Sequence, residues 1–406
     1  MNVRLLKQSL MLLVTALVSL TTEYALATDV SDPSTTQELR VRSGLPNFFS
    51  KIGQQETLRV GFIGGSITAG EDDKWSGKVF NWFKEQYPDQ KFEKYNIAVP
   101  GTPAPFGAFR TESKLLVHQP DLVFIEYRVN GLGGQGIKGP EGMVRQIRSQ
   151  NPHTDICFVY TISKNMIESI RNGKQTSVGK VLEQTANYYD IPTIDMGIEV
   201  VKLLDEDKLV FQSNTAVDGK ITFTKDGTHP LEAGAEIYKD VVVRSLSKMS
   251  DNKTTLKHPL PKAIDGLSFE SATIHTVNEV KKSKKWTAMD PNTDEIYRSA
   301  RWRSEFVVGE ALKTDKTGQT ITFEWEGYAL AMSTLPQGTG MAIEVSTDGK
   351  PAKEFTFERQ GKDRYGSYLF YAPFLDNGKH TTTVKVTKLP NSSVYYFGQF
   401  YTVKKK

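Results

Sequence analysis

Between residues 58 and 249, short apolar runs alternate with stretches of helical period, and that alternation leaves few folds open. Residues 121–129 contain the unbroken run Leu122, Val123, Phe124, Ile125, as expected of a strand covered on both faces. Segments 58–63, 92–98, 155–162 and 192–196 read as further strands, with helices at 75–87, 107–118, 140–150 and 178–189. The last helix, 231–248, puts Leu231, Ala235, Tyr238 and Val242 on one face, with Pro230 where a first helical residue should be. Strands alternating with helices predict an α/β fold, a mostly parallel sheet with helices on both faces.

The pattern changes near residue 249. Residues 250–262 are polar, carry Pro259 and Pro261, and read as a linker. Beyond it, segments 304–308, 320–325, 341–345, 353–357, 367–371 and 381–386 alternate in the manner of strands. Asp348-Gly349 and Asn377-Gly378 mark tight turns between them. Residues 263–406 therefore read as an all-β sandwich, jelly-roll-like.

At the N-terminus, Arg4 and Lys7 precede an apolar stretch at 9–20, and Ala25-Leu26-Ala27 offers a small-x-small cleavage site. The stretch is too short to span a bilayer. This predicts an exported chain, periplasmic or extracellular, with no stable membrane anchor. The predicted layout is a signal peptide at 1–27, a lead-in at 28–54, an α/β domain at 55–249, the linker, and the sandwich.

A net charge of +4 over 406 residues, with basic runs no longer than Lys404 to Lys406, gives nothing to track a phosphate backbone, so no nucleic-acid partner is expected. Cys157 is the one cysteine and lies in an apolar run, which excludes an intramolecular disulfide and makes it a small core residue. His118, His153, His258, His275 and His380 are scattered without metal-ligand spacing. No metal and no cofactor is expected.

The chemistry concentrates in four segments of the first domain. Ser66 follows Gly64-Gly65, which allows a sharp turn and close approach of a substrate to the backbone. If a helix follows, its dipole would favour negative charge near Ser66. Ligands of open α/β sheets bind at the carboxyl ends of strands, and Ser66, Gly101 and Asn130 each fall just past a predicted one. Asp226 and His229, three apart, let the carboxylate fold back on Nδ1 while Nε2 faces a nucleophile. A serine, two donors and a paired base are what acyl transfer from an ester requires.

These segments resemble the blocks of the SGNH hydrolase family, also called GDSL-type esterases, across roughly residues 55–250. Gly64-Gly65-Ser66-Ile67-Thr68 matches the first block, residues 96–101 the second, Val129-Asn130 the third, and Asp226-Gly227-Thr228-His229-Pro230 the last. Gly65 replaces the usual Asp of Gly-Asp-Ser, and Gly131 stands where an Asp often follows the Asn. The resemblance implies a flavodoxin-like three-layer α/β/α domain. It also implies a Ser66, His229, Asp226 triad, with Ser66 N–H, Gly101 N–H and the Asn130 amide as oxyanion hole. The export signal and the appended sandwich resemble multidomain carbohydrate esterases, which implies an O-acetyl glycan as substrate. Two other readings stay open at this level: a polysaccharide O-acetyltransferase with the same triad, and a non-catalytic carbohydrate-binding protein on a hydrolase scaffold. Trp286, Trp302 and Trp325 read either as sugar-stacking platforms or as sandwich core.

Overall fold

The computed structural model describes residues 32–405 except 55, 296–306, 308, 336–339, 358–366, 371–373 and 391–392, and at 367–370 the backbone alone. The expected signal peptide, Trp302, most of the expected strand 304–308 and Tyr371 lie outside the described residues.

The first elements are β1 (Leu39–Arg40), α1 (Pro46–Lys51), β2 (Leu58–Gly64), α2 (Trp75–Gln86), β3 (Phe92–Asn96), α3 (Ala104–Arg110) and β4 (Leu122–Glu126). Then come α4 (Lys138–Gln150), β5 (Asp155–Tyr160), α5 (Ile167–Arg171), α6 (Ser177–Tyr188), β6 (Thr193–Asp195) and α7 (Met196–Asp205). The short parallel pair β7 (Leu209–Gln212) and β8 (Ile221–Thr224) precedes α8 (Glu232–Met249). The main sheet runs β1-β6-β5-β4-β2-β3, parallel throughout except for β1. The chain leaves β2 for β3 on one side and returns to β4 on the other, so β2 and β4 flank the reversal point where such sheets bind ligands.

Alternate residues of each strand serve opposite faces. Phe62 and Phe124 pack with Trp75 of α2 and Tyr238 of α8, whereas Ile63, Val123 and Ile125 pack with Phe106, Met143 and Leu182. Every residue of β4 and β5 is buried, which is why these strands lack a polar alternation in the sequence.

The helix predicted at 107–118 is different in the structure. α3 spans Ala104–Arg110, then widens into a π-turn at Thr111–Leu115 and a 3-10 turn at Leu116–His118, ending at Gln119 with φ 51°. Every residue of α3 is buried, and all but Arg110 are apolar or glycine, as is expected of a helix covered on both sides. Its inner side meets the parallel sheet. Its outer side meets the second domain, where the Tyr401 ring lies 5.7 Å from Phe106 and 5.0 Å from Phe109.

That domain contains β9 (Ala272–His275), β10 (Lys281–Lys282), β11 (Thr287–Met289), β12 (Ala311–Thr314), β13 (Thr320–Gly327) and β14 (Ala329–Leu335). It continues with β15 (Met341–Thr347), β16 (Lys353–Phe357), β17 (Ser367–Phe370), β18 (Gly378–Lys388) and β19 (Tyr395–Val403). Two antiparallel sheets, β10-β13-β18-β15-β16 and β11-β12-β19-β14-β17 with β9 on β19, enclose a core of residues such as Phe323, Ile343, Val384 and Phe400. Trp286 and Trp325 belong to this core, with indole N–H groups bonded to Thr320 O at 3.0 Å and Thr382 Oγ1 at 2.9 Å. Neither ring is a sugar platform. Asp348-Gly349 turns between β15 and β16 with positive φ at both residues, as expected. Asn377-Gly378 closes no hairpin, because β17 and β18 lie in different sheets.

The described residues from Pro33 onward form one compact unit, and the segment that reads as a linker is pinned down. Buried His258 bonds Asp155 at 2.7 Å, and Asn47 clasps Leu256 through both its N–H and its carbonyl. Arg148 and Arg145 donate to the carbonyls of Pro259 and Pro261, and Glu141 accepts from the N–H groups of Ile264 and Asp265. An irregular strap with few bonds of its own is satisfied by these side chains.

Gly142 of α4 faces the backbone of Phe269, and a Cβ there would fall 2.6 Å from its carbonyl carbon. In an open helix Gly→Ala gains about 1 kcal/mol. Here Gly142→Ala is expected to lose about 1–3 kcal/mol, the cost of overpacking against backbone. Urea unfolding measures it, and a midpoint at or above wild type would contradict the close contact.

Candidate functional site

The four sequence blocks converge at the carboxyl ends of β2 and β4. β2 ends in Gly64, and residues 65–69 form a tight turn in which Thr68 N–H and Ala69 N–H both bond the Gly65 carbonyl. The helix considered for this position is absent, since α2 begins only at Trp75. The second block is tied to the first by Val99 N–H on Gly64 O at 3.0 Å, and by the Asn96 amide on Thr68 O at 2.8 Å. A turn closed by Thr102 N–H on Val99 O gives Gly101 φ 74°, a conformation that suits glycine.

β4 ends at Glu126, so Asn130 stands four residues beyond the strand rather than directly after it. The loop is tethered through Gly131, whose N–H bonds Tyr127 O at 2.8 Å and whose carbonyl accepts from Ala104 N–H at 3.0 Å. Backbone thus holds this loop where the sequence lacks an Asp. The Asn130 side chain lies against Gly65, and a Cβ on Gly65 would come within 1.8 Å of Asn130 Oδ1. Glycine at 65 is what lets the third block approach the first. Asn130 Oδ1 is buried without a hydrogen-bond partner. Among the described residues, the N–H groups of Ser66 and Gly101 also have no acceptor in the chain.

The last block follows β8. Pro230 bridges to Thr224 and Leu231 is the N-cap, so helix α8 starts two residues later than the proline suggests. Asp226 is folded back on its own loop. Its Oδ1 accepts from Thr228 N–H at 2.9 Å, His229 N–H at 2.8 Å and the Thr224 hydroxyl at 3.0 Å. Its Oδ2 is 2.6 Å from His229 Nδ1, and His229 Nε2 is 2.7 Å from Ser66 Oγ. Burial works to raise the Asp226 pKa. The His229 ring, the two N–H groups and the Thr224 hydroxyl outweigh it and hold the carboxyl well below the usual carboxylate range. Asp226 is therefore an anion facing Nδ1–H, which leaves Nε2 as the acceptor toward Ser66. The His229 side chain is 39% exposed, so water reaches this dyad.

Sequence reasoning gave no role to Glu126, Thr161 or Lys164, and placed Thr68 in the first block without its bond to Glu126. Lys164 N–H bonds Gly227 O at 2.9 Å and backs the loop between Asp226 and His229. Single residues of these types in unremarkable spacing carry no signal. His275 does have a partner four residues on, Glu279 at 2.8 Å. Among the described residues, no three His, Cys, Asp or Glu side chains converge as a metal ion would require. A cavity of about 650 Å³ lies at the far ends of α3 and α4, lined by Glu112, Val117, Gln146, Gln150, Thr273 and Lys404, away from Ser66.

No protein-family profile and no curated protein matches this chain. Among solved structures it is similar to a two-domain esterase (CEX) active on acetylated mannans. The TM-score is 0.74 at 19% identity, over 92% of this chain and 98% of that one. A structure of such a two-domain esterase co-crystallized with mannopentaose gives 0.71 at 20% identity, over 87% and 92%. At this identity the likeness is one of fold, and it spans nearly the whole of both chains. The chain shares the fold of that two-domain protein, a mostly parallel α/β domain followed by an antiparallel β-sandwich.

Proposed function

We propose that the protein is a serine esterase that hydrolyses O-acetyl groups on a carbohydrate. The observation that carries this reading is the Asp226–His229–Ser66 relay, with contacts of 2.6 and 2.7 Å, at the reversal point of the sheet. His229 Nε2 takes the Ser66 proton as Oγ attacks the ester carbonyl, and the imidazolium is stabilised by ionised Asp226. The oxyanion forms against the N–H groups of Ser66 and Gly101, which have no backbone acceptor among the described residues, and against the Asn130 amide. His229 then protonates the leaving alcohol, and water repeats the cycle on the acyl-enzyme. The His229 side chain is 39% exposed, so water has access to the acyl-enzyme for hydrolysis. An acetylated glycan is favoured because the shared fold spans nearly the whole of an esterase active on acetylated mannans.

Acetate release from acetylated mannan, acetylated xylan and p-nitrophenyl acetate tests the reading. Release from a glycan is expected, and a folded protein silent on all three would refute it. Asn130→Ala is expected to lower kcat by about 10²–10³-fold, the usual cost of one oxyanion donor. Near-normal turnover in that variant would remove Asn130 from the site.

A further inference from the structure

The carboxyl group of Glu126 takes no part in this chemistry, yet it sits beneath the site. It is fully buried at the end of β4, in register with Gly64 at the end of β2. Oε2 accepts from the Thr68 hydroxyl at 3.0 Å, and Oε1 accepts from the Thr161 hydroxyl at 2.6 Å. Thr68 belongs to the turn that carries Ser66. Its hydroxyl also accepts from the Trp75 indole at 3.2 Å, and its carbonyl accepts from the Asn96 amide and the Ser76 hydroxyl. Thr161 follows β5, and its carbonyl is held by Arg128 Nε at 2.7 Å. Three residues further, Lys164 N–H grips Gly227 between Asp226 and His229. One carboxyl group thus spans the serine turn and the segment backing the acid–base loop.

Such a group is costly to keep. Burial pushes its pKa up, against the Thr161 and Thr68 hydroxyls and nearby Arg128. Replacing both partners of a buried polar contact by apolar groups of the same shape can be neutral or even stabilising, so folding alone does not call for this carboxyl group.

We infer that Glu126 is a positioning residue: through Thr68 and Thr161 it fixes the Ser66 turn against the His229 loop before substrate arrives. The inference rests on Ser66 being the nucleophile. The test compares the full-length wild type, Glu126→Gln and Thr161→Val in three readouts. These are Ser66 labelling by a p-nitrophenyl phosphonate, kcat and KM on p-nitrophenyl acetate, and thermal unfolding. Glu126→Gln is expected to label and turn over about 10–100-fold more slowly with KM within about twofold, the cost of a slightly misplaced reacting group. Thr161→Val is expected to show a smaller fall in the same two rates, with Tm lowered by about 2–6 °C because a buried carboxyl oxygen loses its donor. Wild-type rates in Glu126→Gln, or losses no greater than its unfolded fraction, would overturn the inference. If Glu126→Gln does not fold, wild-type rates in Thr161→Val overturn it alone. A wild-type protein that is not labelled at Ser66 removes the nucleophile assignment itself, which separates that failure from this one.

Discussion

Ser66→Ala is expected to lower kcat on p-nitrophenyl acetate by about 10⁴–10⁶-fold, the scale seen when a serine that works as a unit with its histidine is removed. The loss is confined to chemistry. The Ser66 hydroxyl makes its hydrogen bond to His229 and anchors no backbone, so the fold does not depend on it. His229→Ala is expected to fall to a similar floor and the double variant little further, because the proposed nucleophile and base would fail together. Steady-state rates on the three variants beside their circular dichroism spectra check this. A Ser66→Ala protein within tenfold of wild type would mean that another group attacks the ester. Full additivity of the two single losses would mean that Ser66 and His229 do not act as one.

The largest effect on stability belongs to Asp195. At the end of β6 its carboxylate meets Arg128 through two bonds of 2.5 and 2.7 Å, and both side chains are fully buried. The same carboxylate caps α7 through Gly197 N–H at 3.0 Å. Removing one partner of a buried pair strands the other charge, at a cost of about 3–5 kcal/mol. Asp195→Ala is therefore expected to lose that much, a large part of the about 5–15 kcal/mol that holds a typical domain together. The double replacement Arg128→Met with Asp195→Leu recovers most of it, since no charge is left behind. Urea unfolding of the three proteins decides. A loss under about 1 kcal/mol in Asp195→Ala would show that water reaches the Arg128 guanidinium once its partner is gone.

The candidate site's parts were legible in the sequence because each block is local. A glycine pair before Ser66 and a carboxylate three residues before His229 are patterns of neighbouring residues, and the sheet brings them together. What holds them was not legible. Glu126, Thr68 and Thr161 act across separations of 58 and 35 residues, and nothing in their flanks announces it. The strands β14 and β19 were missed for a related reason. Each is buried along its whole length, one face toward the sandwich core and the other toward the α/β domain, so the polar alternation that marks a strand is lost. The helix α7 was missed because β6 ends at Asp195 and the helix begins at the next residue, with the strand's last side chain as its cap.

The burial of α3 on both sides bears on how this architecture can be taken apart. Its first residue lies three positions after Gly101, so the helix that seats a proposed oxyanion donor is itself seated by Tyr401 and Phe269 of the sandwich. The α/β half is not a detachable cassette. Cut free near residue 250, it would carry Phe106 and Phe109 into water on the wall nearest its own chemistry, an apolar scar inviting self-association. Fusions and chimaeras built on this fold have to move both halves together, or resurface that wall first.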